Sequence, residues 1–111
     1  MIVLDACRAD YFEQVAQIDP FDHYSARVSL GSHSNEWTRR DFQGGSFDDT
    51  VYVSANPHTS LEAGGAFHHI VKLWETDFDD EAGVVRPDVV RDAAISAHEE
   101  FPDKRLIVHF M

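Results

Sequence analysis

Ile2-Val3-Leu4-Asp5-Ala6-Cys7-Arg8-Ala9-Asp10-Tyr11 is a short apolar run that ends on an aspartate and gives way at once to a polar turn leading into a helix-like segment. In open α/β folds, ligands and metals bind beyond the carboxyl ends of buried strands. Asp5 therefore stands where a hard anionic ligand is useful, or it caps the helix that follows; position alone leaves both readings open.

Working outward, the rest of the chain repeats the strand-then-helix pattern. Ala9 to Ile18 carries Phe12, Val15 and Ala16 at helical spacing and is ended by Asp19-Pro20. Tyr24 to Leu30 alternates Tyr, Ala, Val and Leu with Ser, Arg and Ser, which predicts a second strand closed by Gly31-Ser32. A short helix over Asn35 to Phe42 follows, with Ser32 or Ser34 as its N-cap and Glu36 in its first turn. Gln43 to Asp49 reads as a loop and Thr50 to Ala55 as a third strand ending at Asn56-Pro57. His58 to Ala63 is a helical turn, Ala66 to Trp74 a fourth strand, and Thr76 to Gly83 an acidic loop. Pro87 to Glu100 has Pro at a first helical position, with Val89, Val90, Ala93, Ala94 and Ala97 on one face and Pro102 just beyond its end. Arg105 to Phe110 is the last strand.

Alternating strands and helices with short connections predict an α/β domain, a mainly parallel sheet covered by helices in three α/β/α layers. Residues 1–111 make a single domain, and strand-like runs at both extremes read as cut inside structure, so the expectation is a partial domain whose site is incomplete and inactive alone. The sheet edge at the C-terminal strand is expected to be exposed and prone to self-association; the oligomeric state is not legible.

Twenty acidic residues against nine basic ones give a net charge of −11, which argues against nucleic-acid binding, because phosphate neutralisation requires Lys and Arg. Asp outnumbers Glu thirteen to seven and only Lys72 and Lys104 are lysines, a balance that suits a salt-rich cytoplasm where screening removes self-repulsion. No stretch approaches the ~20 apolar residues of a membrane span, and the N-terminal residues lack a secretory signal's basic region and cleavage site. A soluble, cytoplasmic location is expected. The single cysteine, Cys7, excludes an internal disulfide and reads as a buried filler.

In such a sheet Asp5, Gly31 to Ser34 and Ala55 to His58 face one crevice. Ser34, or Ser32, at a helix start meets free N–H groups and the positive end of the helix dipole, which favour an anionic oxygen; an ordinary N-cap is the plain alternative. Asn56 is either a turn former or a ligand-facing amide. His33 beside the serines and His58 after the Asn-Pro turn are further candidates. His68-His69, adjacent on a strand, point to opposite faces and do not share a metal. His23, His98 and His109 carry no usable signal.

Val3-Leu4-Asp5-Ala6-Cys7-Arg8-Ala9-Asp10-Tyr11-Phe12, Gly31-Ser32-His33-Ser34-Asn35-Glu36-Trp37 and Asp49-Thr50-Val51-Tyr52-Val53-Ser54-Ala55-Asn56-Pro57 resemble, in that order, the opening of archaeal sulfatase-like hydrolases of the alkaline phosphatase superfamily. Arg86-Pro87-Asp88 and Ile107-Val108-His109-Phe110-Met111 are similar to later blocks of that group, so the resemblance spans nearly the whole chain. It implies metal-dependent hydrolysis of small-molecule or glycan sulfate or phosphate esters. By it Asp5 matches a ligand of a divalent metal (Ca, Mg, Mn or Zn), Ser34 the nucleophile, and Asn56 an amide on the substrate's non-bridging oxygens. The Cys/Ser-x-Pro-x-Arg pattern of formylglycine sulfatases is absent, and the superfamily's later metal ligands have no counterpart here. Two other functions fit the same residues: a non-catalytic anion- or partner-binding module, and a transferase of phosphorylated headgroups from the same superfamily.

Overall fold

A computed structural model describes residues 1–111. Four parallel strands form the main sheet, in the order β1 (Ile2–Leu4), β6 (Arg105–Phe110), β2 (Phe47–Ser54), β3 (Phe67–Lys72). Around them run α1 (Ala9–Val15), α2 (Ser34–Phe42), α3 (His58–Ala63), α4 (Leu73–Thr76) and α5 (Pro87–Glu100), and β4 (Phe78–Asp79) pairs antiparallel with β5 (Val84–Val85). The chain is thus α/β with a parallel main sheet, as its alternation predicts.

β2 is the centre because it is the run most suited to a doubly covered strand. Thr50-Val51-Tyr52-Val53-Ser54 is β-branched or aromatic almost throughout, and all five residues are buried. Successive side chains alternate between two cores. Val51 and Val53 join Leu73, Val85, Val90, Ala97 and Val108 on the face covered by α5. Tyr52 joins Phe42, Ala63, Phe67 and Ile107 on the face covered by α2 and α3. Phe42 is the hub of that second core, with ring centroids of Trp37, Phe47, Tyr52 and Phe67 at 5.3 to 5.9 Å.

α5 matches its sequence reading at both ends, since Pro87 starts it and Pro102 follows it. Tyr24 to Leu30, in contrast, forms no strand. On its inner side β1 pairs with β6, with Ile2, Val3 and Leu4 opposite Val108, His109 and Phe110, and the alternating segment does not pair with the open outer edge; Val28 is 97% exposed. The acidic segment from Thr76 includes β4, whose two residues pair with Val84–Val85. β6 lies inside the sheet between β1 and β2, so the open edges are β1 and β3, contrary to the expectation of an exposed C-terminal strand. Cys7 is exposed, not buried, because the chain leaves the sheet at Asp5. His68 and His69 do not diverge cleanly: both rings approach Phe101, at 5.8 and 5.7 Å. No helix is long and apolar enough to cross a membrane.

Candidate functional site

Parallel pairing brings the carboxyl ends of β1, β6 and β2 to one rim. The Asp5 N–H donates to the Phe110 carbonyl and the Ala55 N–H to the His109 carbonyl, which extends the ladder to the points where the chain turns away. Ala6 then adopts a left-handed conformation with φ 56°. That corner lets the Ala6 N–H donate to its neighbour's carboxylate, Asp5 Oδ1, at 2.8 Å. A left-handed alanine is strained relative to glycine, so the corner is held by its surroundings.

Asp5 Oδ2 is the meeting point of the site. The Ser34 hydroxyl donates to it at 2.7 Å and the Asn56 amide Nδ2 at 2.8 Å, and His109 Nε2 stands 3.4 Å away. Burial pushes the Asp5 carboxyl's pKa up, but the hydrogen bonds from Ser34, Asn56 and the Ala6 N–H, with the charge of His109, outweigh it and leave the group below its ordinary 3.8. Burial lowers the pKa of His109 against the pull of Asp5. Its other nitrogen, Nδ1, lies 2.9 Å from the Tyr52 hydroxyl. Tyr52 is fully buried, and burial raises the pKa of its phenol.

Ser34 is the first residue of α2. The N-cap is His33, not Ser32 or Ser34: its Nδ1 accepts from the Glu36 N–H at 3.4 Å. Ser32 is turned to another task, since both its N–H and its hydroxyl donate to Glu36 Oε2, at 2.9 and 3.0 Å. Glu36 also pairs with Arg40, whose guanidinium reaches the Leu30 carbonyl at 2.8 Å, so the loop before α2 is laced onto it. Gly31 permits this approach; a Cβ there would lie 2.3 Å from the Trp37 nitrogen.

The cleft beside Asp5 has a volume of about 630 Å³ and is open to solvent. Ser32, His33, Ser34, Trp37 and His109 form much of its wall, and none of its thirteen lining residues is Lys or Arg. Asn56 and His58 are not on that wall. Asn56 is 1% exposed and faces protein on every side: besides its bond to Asp5, its Oδ1 accepts from the His58 N–H at 2.9 Å and its N–H donates to Ser54 Oγ. The structure thus sets Asn56 against the carboxylate and the start of α3. His58 Nδ1 is buried without a partner.

Of the six residues singled out from the sequence, Asp5, Ser34 and Asn56 come together, His33 and Ser32 line the cleft, and His58 lies off it. His109 was missed. The strand pattern of Arg105 to Phe110 marks which of its residues point to each face, but only the order β1-β6-β2 reveals that the penultimate strand residue falls beside Asp5.

The donor set suits a divalent cation in kind, with a carboxylate, an imidazole and a hydroxyl within contact of one another. It falls short in number, as no group of three or more His, Cys, Asp and Glu side chains converges in the chain. Compared with protein-family models, curated proteins and solved structures, the chain matches none.

Proposed function

We propose that this cleft is the nucleophile-bearing part of a sulfatase-like, metal-dependent hydrolase of sulfate or phosphate esters, with an alkaline-phosphatase-like layered fold. One observation carries the reading: the Ser34 hydroxyl, at the first position of α2, is bonded at 2.7 Å to the carboxylate at the tip of β1 on the wall of an open cleft. In this reading Ser34 attacks the sulfur or phosphorus in line, the alcohol leaves, and water cleaves the serine ester in a second step. The N–H groups opening α2 receive the charge that grows on the equatorial oxygens.

Asp5 alone does not activate Ser34. A carboxyl group held below 3.8 is a poor acceptor for a hydroxyl proton, so its bond orients the oxygen rather than ionising it. The wall also offers no Lys or Arg to meet an anionic ester. Both deficits point to a cation at Asp5 and Ser34, with Ca, Mg, Mn and Zn as candidates; the chemistry it supplies is stabilisation of the serine oxygen and of the ester's charge. Two-metal or single-metal centres need more carboxylates and imidazoles than Asp5 and His109, and the reading requires them from outside these 111 residues. The acid-rich composition fits work in the cytoplasm of a salt-adapted archaeon.

The test pairs turnover with trapping, in protein that carries the further ligands the reading requires. Chelator-treated protein is given each metal in turn with p-nitrophenyl sulfate or p-nitrophenyl phosphate, and acid-quenched digests are searched by mass spectrometry for an esterified Ser34. Turnover that falls to background in Ser34→Ala, with the ester on Ser34 in wild type, is the expected result. Undiminished turnover in Ser34→Ala, or none in wild type with any metal, rejects hydrolysis by this chain. A non-catalytic anion- or partner-binding module is the second reading, favoured by an Asp5 carboxylate already supplied with donors from Ala6, Ser34 and Asn56. Transfer of a phosphorylated headgroup uses the same serine and is distinguished by product: an added alcohol, not water, takes the group.

A further inference from the structure

We propose that His109 is a positioning residue for the Asp5–Ser34 pair, and that the Tyr52 hydroxyl sets which ring nitrogen faces Asp5. The role rests on the hydrolase reading; the arrangement itself does not.

Both nitrogens of His109 have a partner and neither is left to solvent. The residue is 1% exposed, with Nδ1 2.9 Å from the Tyr52 hydroxyl and Nε2 3.4 Å from Asp5 Oδ2. A carboxylate only accepts hydrogen bonds, and its place 3.4 Å from Nε2 favours the tautomer that carries the proton on that nitrogen. In a neutral ring the other nitrogen is then an acceptor, and the Tyr52 O–H donates to it. Trp37 meets the imidazole in a T-shaped contact, with ring centroids 6.0 Å apart.

Besides His109, Tyr52 meets only the Thr59 hydroxyl among the groups that act on its oxygen through hydrogen bonds. Its ring packs among Phe42 and Phe67 in a fully buried position, where phenylalanine would fill the same volume and a hydroxyl is costly unless bonded. The hydroxyl on β2 thus orients an imidazole on β6, which in turn flanks a carboxylate at the end of β1. Three adjacent strands set the aim of Asp5, and Asp5 sets the aim of Ser34. Ring orientation by a hydrogen bond to the distal nitrogen is a general device for fixing tautomer and direction.

The test has two arms. In chelator-treated protein without substrate, long-range 1H–15N correlation spectra of the histidine rings report the tautomer of His109; the expected pattern is Nε2–H in wild type and a mixed or altered pattern in Tyr52→Phe. An Nδ1–H ring in wild type, or a spectrum unmoved by Tyr52→Phe, overturns the proposal whether or not the protein hydrolyses esters. With p-nitrophenyl sulfate or phosphate, Tyr52→Phe and His109→Leu are expected to lower kcat about ten- to a hundred-fold with KM little changed, and His109→Gln, which keeps an N–H near Asp5, to recover much of the loss. Equal kcat in wild type and Tyr52→Phe overturns the positioning role even if the tautomer is as expected. Where the further ligands are present, a wild type without turnover rejects the hydrolase, and the spectra then decide the arrangement alone. Circular dichroism of Tyr52→Phe guards against simple misfolding.

Discussion

The first 33 residues and the body that runs from α2 to β6 are built on opposite terms. None of the twenty buried residues precedes Thr38, and α1 buries no side chain, whereas the body holds both apolar cores. Yet Asp5 and much of the cleft wall come from the exposed stretch, and His109 and Asn56 from the dry one. The site forms on the seam. Stability and chemical placement are therefore separable here: the body fixes a rim of strand ends, and a weakly packed N-terminal stretch lays its acid across that rim through one short strand pairing and a few polar contacts.

The largest test of that contrast is in the body. Phe42→Ala removes the hub of the second core and is expected to cost about 3–5 kcal/mol in urea unfolding. A cost under 1 kcal/mol would show that this core is looser than its burial implies. Next comes the seam itself, where Asp5→Ala strands the Asn56 and His109 donors and is expected to cost about 1–3 kcal/mol, with loss of any Mn²⁺ binding seen by calorimetry in wild type. Unchanged stability would mean that the N-terminal stretch detaches without penalty.

Acid should act on the seam in two stages. His109 has a lowered pKa in the folded state, so the unfolded chain takes up its proton first, and stability falls as pH drops below about 6.5. Asp5 is also lowered; its contribution is present above 3.8 and is lost as pH falls through its folded value. Denaturation curves between pH 7.5 and 5 should flatten in His109→Gln, and an unaltered slope would remove His109 from the linkage. The smallest effect belongs to the N-terminal stretch: Tyr11→Ala on α1 should shift stability by no more than about 0.5 kcal/mol, and α1 amides should exchange faster than those of α5. Protection of α1 equal to α5 would erase the contrast.

Where the chain's own chemistry decides an element, the sequence was readable. Pro87 and Pro102 bracket α5, and the unbroken β-branched run of β2 needs a sheet with both faces covered. Asp5 and Ser34 were legible because a strand tip and a helix start are positions with built-in chemistry. Tyr24 to Leu30 misled because alternation records the pattern a half-buried strand would need and not whether the segment is buried; Val28 is 97% exposed. His109 was hidden for the converse reason, since its partners, Tyr52 and Asp5, lie 57 and 104 residues away and meet it only through strand order. Asn56 was placed in the right neighbourhood, but its bond to Asp5 was not foreseen, because one amide serves equally well to face a ligand or to brace a carboxylate.

The bend at Ala6 has a further consequence. Because the backbone turns there with φ 56°, the direction of the acid is written one residue downstream of it, in a dihedral angle that alanine tolerates and valine or isoleucine would resist. Glycine at that corner would relieve the torsion and loosen the grip of the amide on Oδ1 in the same stroke. The acid's direction thus rests on a corner that its surroundings hold against the torsional preference of its own residue.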